Sequence, residues 1–200
     1  MSTKFAFLFI LLFISCKTYS QWNIGGKTGI NWSNVDFKDT ENPSFILGVN
    51  SGIITGYQFS NKIGLQLYIL YSTRGYNAKE SVYVPADNSI KDLKVVFQHI
   101  DIPLIFKYSL SRGLYLHIGP QLGFQFNRTA FYDNKKQNSI IFGVKQNVDL
   151  GMIIGTGYSF KNGMFIEGEY LIGLRSCYKN ITGFRHRSWQ FSLGYLYKFK

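Results

Sequence analysis

The chain has 200 residues and a formal charge of +11, with 16% charged residues, 18% aromatics, 20 glycines and 4 prolines. A soluble domain of this size ordinarily carries about a quarter charged residues, whereas a charge-poor, aromatic-rich and glycine-rich chain suits strands that face lipid on one side and a crowded interior on the other. Basicity alone would also fit nucleic acid, but no basic and aromatic cluster forms a nucleic-acid module, so no nucleic-acid partner is expected.

The chain opens as a secretory signal peptide: Lys4 supplies a short positive start, Phe5 to Ile14 an apolar run, and Thr18-Tyr19-Ser20 small residues at the minus-three and minus-one positions. That run is about half the roughly 20 residues a transmembrane helix needs, and no later stretch does better. Cleavage is expected after Ser20, giving a signal over residues 1–20 and a mature domain over 21–200. The alternative is a lipoprotein signal in which Cys16 is acylated. Cleavage removes Lys4 and Lys17, lowering the charge from +11 to +9. It also leaves Cys177 as a lone cysteine, which excludes a disulfide framework.

Period-two alternation then predicts strands near 22–34, 44–59, 62–76, 95–110, 114–128, 143–160, 164–175 and 187–199. It is cleanest from Leu114 to Asn127, where Leu114, Leu116, Ile118, Leu122, Phe124 and Phe126 alternate with Tyr115, His117, Gly119, Gln121, Gly123 and Gln125. The connections at 60–62, 111–113 and 161–163 are tight, and those at 35–43, 77–94, 129–142 and 176–186 are long. Alternating short and long connections are the pattern of periplasmic turns and outer loops. Pairing Leu110 with Leu114 and Phe160 with Met164 keeps the apolar positions of each hairpin on one face, with Gly113 and Gly163 as left-handed residues. This register sets Asp149 opposite Arg175 and Lys107 opposite His117. It also brings Pro103 beside Pro120, where missing N–H groups predict a kink or bulge.

Alternation alone does not say which face is outside, since a lipocalin turns its apolar face inward. Here the polar set is mostly Gly, Asn, Gln and Ser, suited to a tight interior. The apolar set has vertical order. Trp22, Tyr57, Phe59, Tyr108, Tyr158, Phe160, Tyr195, Tyr197 and Phe199 fall near the turn end, and Trp32, Phe45, Tyr71, Phe124, Phe126 and Trp189 near the loop end. Aliphatics such as Leu65, Leu67, Ile118, Leu150 and Met152 lie between, as in a lipid-facing belt between aromatic girdles. The expected fold is all-β: an eight-stranded antiparallel up-and-down transmembrane β-barrel in a bacterial outer membrane.

Four segments carry a family likeness: Gly25-Gly26-Lys27-Thr28-Gly29-Ile30-Asn31-Trp32-Ser33-Asn34, Tyr71-Ser72-Thr73-Arg74-Gly75, Ile100-Asp101-Ile102-Pro103-Leu104 and Ile118-Gly119-Pro120-Gln121-Leu122-Gly123. In this order the chain resembles the PorT-like outer-membrane β-barrels of Bacteroidota. The resemblance implies the barrel fold, and through its founding member an association with type IX protein secretion. Ser192, Gly194, Tyr197 and Phe199 resemble the C-terminal signal read by the barrel-assembly machinery, with Lys200 as a departure from chains that end on Phe.

No motif announces a cofactor. Gly26-Lys27-Thr28 mimics the end of a phosphate-binding loop, but Gln21 stands where the loop's first glycine is needed. His99, Asp101 and His117 share the inner face, yet the register puts Asp101 far from His117 and no serine is obviously poised beside either histidine, so a barrel hydrolase or acyltransferase is a rival only. No His or Cys cluster has metal-site spacing. Lys27, Lys62, Arg74, Asp101, Lys107, Lys145, Asp149, Glu167, Glu169, Arg175 and Lys198 are read as inward charges of mixed sign that pair in the interior together with His99 and His117. An eight-stranded barrel is just wide enough for side chains to fill, which disfavours an open pore. Lys179, Arg185, His186 and Arg187 read as a basic outer loop facing lipopolysaccharide, and 77–94 as the longest loop. The expectation is a monomeric, non-enzymatic barrel with a structural or surface-loop role, whose partners are lipid and, during biogenesis, the assembly machinery. A narrow channel and a type IX secretion component are the alternatives.

Overall fold

Inward and outward residues alternate along nine antiparallel strands: β1 (Trp22–Asp36), β2 (Ile46–Gln58), β3 (Ile63–Val84), β4 (Ser89–Ser109), β5 (Leu114–Tyr132), β6 (Lys135–Gln137), β7 (Val148–Ser159), β8 (Met164–Ser176) and β9 (Arg185–Lys198). The computed structural model describes residues 21–36, 43–84, 89–132, 135–137, 146–179 and 183–199. Among these no helix occurs. The segment expected to be the signal, with Cys16, lies outside them, as does Lys145.

Eight strands close a ring in the order β1, β2, β3, β4, β5, β7, β8, β9, with β9 returning to pair with β1. Closure leaves no unpaired strand edge in the ring, the condition for β-structure in lipid. The three-residue β6 adds to β5 at Ala130↔Gln137.

The tight turns form as their sequences require. Leu110 N donates to Leu114 O at 2.9 Å and Phe160 N to Met164 O at 2.8 Å. Gly113 and Gly163 take φ of 97° and 92°, a region that penalises any side chain. Lys107 stands opposite His117 as expected. The β7–β8 ladder runs from Ser159↔Phe165 to Gly151↔Gly173, which ends short of Asp149 and Arg175.

The outward face is mostly apolar, with Ile30, Leu47, Ile53, Ile118, Ile154, Ile166 and Leu193 all exposed and Thr28, Ser51 and Thr156 among its polar positions. Both aromatic girdles are present as ring contacts. Trp22–Tyr57, Tyr57–Phe59, Tyr158–Phe160 and Tyr197–Phe199 pair at 5.0–5.4 Å at the turn end. Trp32–Phe45 (5.0 Å), Tyr71–Phe126 (6.1 Å) and Tyr170–Trp189 (4.5 Å) pair at the loop end.

Several expectations need correction. The segment 77–94 is an extension of the β3–β4 hairpin, paired through Asn77↔Lys94, Val82↔Lys91 and Val84↔Ser89, with a register shift between Ala78 and Val82. Its charges suggest a loop only if strands are judged by a lipid-facing alternation, which no longer constrains a strand beyond the bilayer. β7 begins at Val148, and Gln146 and Asn147 lie outside any strand. No register slip occurs at the prolines, but pairing is interrupted there: the β4–β5 ladder has no pairs between Pro103↔Gln121 and Phe106↔Ile118, and the β3–β4 ladder none between Leu67↔Leu104 and Leu70↔Asp101, while β5–β7 runs unbroken through Pro120↔Met152. The register shift in β4–β5 falls between Gln98 and His99, where β5 passes from Asn127 to Gln125.

Candidate functional site in the barrel interior

The inward face collects a dense set of buried polar and charged residues, and the ring topology decides which of them meet. Lys27 on β1 sits between two carboxylates of β8, its Nζ 3.0 Å from Glu167 Oε2 and 2.7 Å from Glu169 Oε2. His117 Nε2 on β5 lies 3.1 Å from the other oxygen of Glu169. The Tyr115 hydroxyl donates to Glu167 Oε1 at 2.9 Å, and the Tyr68 hydroxyl lies 3.0 Å from Gln66 Oε1 and 3.4 Å from Glu167 Oε1. Lys107 rests its ammonium 3.2 Å from the centre of the Tyr115 ring. Buried charges are tolerated when opposite charges and hydroxyls replace water, and this group meets that condition.

A second group lies nearer the loops. Arg74 is fully buried on β3, with Nη2 2.9 Å from Asp101 Oδ1 and 3.6 Å from Asp149 Oδ2. Gly123, opposite both Asp101 and Asp149, leaves room for them, since a Cβ there would stand 2.8 Å from Asp101 Oδ1 and 3.2 Å from Asp149 Cβ. His99 on β4 and His186 on β9 stack edge to face at 5.5 Å, and with Asp149 they bring ligand-capable atoms within 4.8 Å of one another.

Between strands β1, β2, β3 and β9 runs a neutral chain. Asn31 Nδ2 donates to Ser72 Oγ (3.0 Å), Asn50 Nδ2 to Asn31 Oδ1 (2.6 Å) and Ser192 Oγ to Asn50 Oδ1 (3.1 Å). Two apolar groups fill the remaining space. One gathers Ile54, Tyr68, Leu70, Ile105, Ile153, Phe165, Leu171 and Leu196. The other closes the loop end with Val35, Tyr76, Leu93, Val95, Phe97, Cys177 and Tyr178. The interior is therefore less polar than composition suggests, because a space that excludes water is filled by whatever side chains fit.

Of the residues read as an interior network, Lys27, Arg74, His99, Asp101, Lys107, His117, Asp149, Glu167 and Glu169 are buried. Arg175 is not. Its position has inward parity counted along β8, but the β8–β9 register shifts between Ile172 and Ser176, and its side chain is exposed. Lys62 and Lys198 are likewise exposed at the turn end. His186 is removed from the basic outer loop: it is 1% exposed and points into the barrel, while Arg185 is exposed and Arg187 reaches Asp36 Oδ2 at 3.2 Å. The outward odd positions Trp189 and Phe191 already imply an inward 186, a parity signal masked by the arginines on either side. A serine does stand beside a histidine, since Ser72 is opposite His99 in the β3–β4 ladder. Its Oγ accepts from Asn31 and its hydroxyl engages Asp101, so it is held in the structural chain.

The C-terminal pattern has a packing basis. Ser192 and Gly194 face inward, Tyr197 and Phe199 outward. A side chain at Gly194 would collide with the Phe165 ring and the Gly26 carbonyl.

With the ring, its lipid face and its interior described, the chain can be compared with known proteins. Its sequence matches the family described as Outer membrane protein beta-barrel domain over residues 15–179. The chain belongs to that family. No curated protein matches it significantly. Among solved structures, this outer membrane β-barrel resembles Neisserial surface protein A (16% identity, TM-score 0.52, covering 90% of this chain and 98% of that one). It also resembles Ail, the attachment invasion locus protein of Yersinia pestis, crystallised with the heparin analogue sucrose octasulfate (17% identity, TM-score 0.50, 88% and 99% covered). At these identities the likeness shows the shared fold, an eight-stranded outer-membrane barrel.

Proposed function

We propose that this outer-membrane barrel is a closed, non-enzymatic scaffold that displays the β3–β4 hairpin at the cell surface. The observation that carries this reading is the hairpin itself. The β2–β3 ladder ends at Asn50↔Ser72 and the β4–β5 ladder at Leu93↔Tyr132, whereas β3 and β4 pair onward to Val84↔Ser89. Beyond the barrel wall this ribbon is supported by its own ladder, as suits an element held out to meet something else. A structural interior is supported by the partners of its reactive groups: His117 faces Glu169, and Ser72 serves Asn31 and Asp101.

Exposed Arg175, Lys179 and Arg185 at the loop end support contact with anionic lipopolysaccharide. The four sequence segments from Gly25 to Gly123 support a PorT-like place within the family, and type IX secretion in a deletion strain is the assay for that finer assignment. Protease treatment of intact cells tests the display itself. Cleavage confined to the connection between β3 and β4, with the barrel core retained in the membrane, is expected. A hairpin protected in intact cells and cut only after lysis would place it on the periplasmic side and refute the reading.

A further inference from the structure

We propose that His99, Asp149 and His186 form a binding site for one divalent transition-metal cation of the Zn2+ class, enclosed at the loop-side end of the barrel.

The three groups come from strands that do not pair with one another. β4 and β9 stand on opposite sides of the eight-strand ring, and β7 lies two strands from each. Their ligand-capable atoms converge within 4.8 Å. Ligands sharing a tetrahedral Zn2+ at about 2.0–2.2 Å lie about 3.4 Å apart, so side-chain movements of roughly 0.7 Å per group bring this set into coordination.

Two of the three groups are also short of partners. Neither ring nitrogen of His186 has a hydrogen bond, and Asp149 Oδ1 has none, although both residues are buried, at 1% and 6% exposure. Buried polar atoms in folded proteins are nearly always satisfied, and leaving one unmade is costly. A cation bound by an imidazole nitrogen and Oδ1 satisfies Asp149 Oδ1 and one of the two His186 nitrogens. The second carboxylate oxygen stays with Arg74, at 3.6 Å.

The chemistry of the set selects the ion. Two imidazoles and one carboxylate suit Zn2+, Ni2+, Co2+ or Cu2+, whereas Ca2+ and Mg2+ seek six or more oxygens. Three protein ligands leave a fourth position for water or a small anion. The adjacent positive charge of Arg74 opposes a cation, but Asp101 pairs with it at 2.9 Å and leaves Asp149 as the carboxylate facing the histidines. Phe97 completes the enclosure, its ring 5.1 Å from that of His186 and 6.3 Å from that of His99. A metal here ties opposite walls of the barrel together beneath the aromatic cap.

The test uses the protein purified from outer membranes in detergent without a histidine tag, stripped with chelator and titrated with Co2+ and then Zn2+. One equivalent of Co2+ bound with visible d–d absorption, displaced by Zn2+, is expected. His186→Ala and Asp149→Asn should each weaken binding on the order of tenfold or more, by analogy with perturbed metal ligation elsewhere. Heat-modifiable migration in gels verifies that each variant is folded, and Asp149→Asn keeps the shape of the side chain should His186→Ala fail to assemble. Wild-type barrel that takes up neither ion, or folded His186→Ala and Asp149→Asn that bind as wild type does, overturns the proposal and leaves a structural polar cluster.

Discussion

Tyr68 and Glu167 meet across the full width of the barrel: β3 and β8 stand opposite in the ring, and the tyrosine hydroxyl lies 3.4 Å from Glu167 Oε1. A second pair across the same two walls of the ring, Tyr76 on β3 and Tyr178 just after β8, brings its hydroxyls to 3.0 Å beneath the outer loops. Together with the apolar groups these contacts fill the interior from one wall to the other.

The Lys27 group is expected to hold the strands in register at a high cost of disruption. Lys27→Met leaves Glu167 and Glu169 buried without their cation, a loss of about 3–5 kcal/mol. Adding Glu169→Gln should recover part of this, so the double variant is less destabilised than the sum of the singles, by roughly 1–3 kcal/mol. Denaturant unfolding in micelles measures all three variants, and strict additivity would show that the two side chains do not interact.

The outward face should reject charge according to depth. Ile118 lies mid-strand on β5 between the two girdles, opposite Phe106 and Ile154, and is exposed to the lipid side. Ile118→Arg is expected to destabilise the barrel by about 2–4 kcal/mol, and Trp22→Arg, in the girdle, by about 0–1 kcal/mol. Equal losses at both positions in bilayer unfolding experiments would contradict the assigned membrane span.

Gly194 should be intolerant of any side chain. A Cβ there would collide with the Phe165 ring as well as the Gly26 carbonyl, and the carbonyl belongs to backbone that cannot swing aside. Gly194→Val is expected to lower the folded fraction in assembly assays, with only partial rescue by Phe165→Ala. Full rescue would assign the whole effect to the ring.

Cys177 follows β8 and packs among Val35, Phe97 and Tyr178, where burial pushes its thiol pKa up. Both inaccessibility and the scarcity of thiolate should keep it inert to disulfide reagents until the barrel unfolds. Rapid labelling of the folded protein would show that the aromatic cap is open.

Much of this was legible in sequence because lipid imposes alternation on one face and closure imposes parity on each hairpin. Leu110 with Leu114, Phe160 with Met164, and the glycines at 113 and 163 all follow from those two constraints. Where the bilayer ends, so does the constraint, which is why the β3–β4 extension and the exposed position of Arg175 did not show in the pattern. The meeting of His99 with His186 depends on strands that are neighbours of neither, and only closing the ring puts them face to face. Local spacing therefore shows no metal-binding pattern around either histidine.

The central claim is that the barrel is closed by its own side chains. Reconstitution of the purified protein into planar bilayers tests it most directly. A filled interior crossed by the Lys27 and Arg74 groups predicts no discrete conductance steps, and stable single-channel steps from folded protein would contradict it.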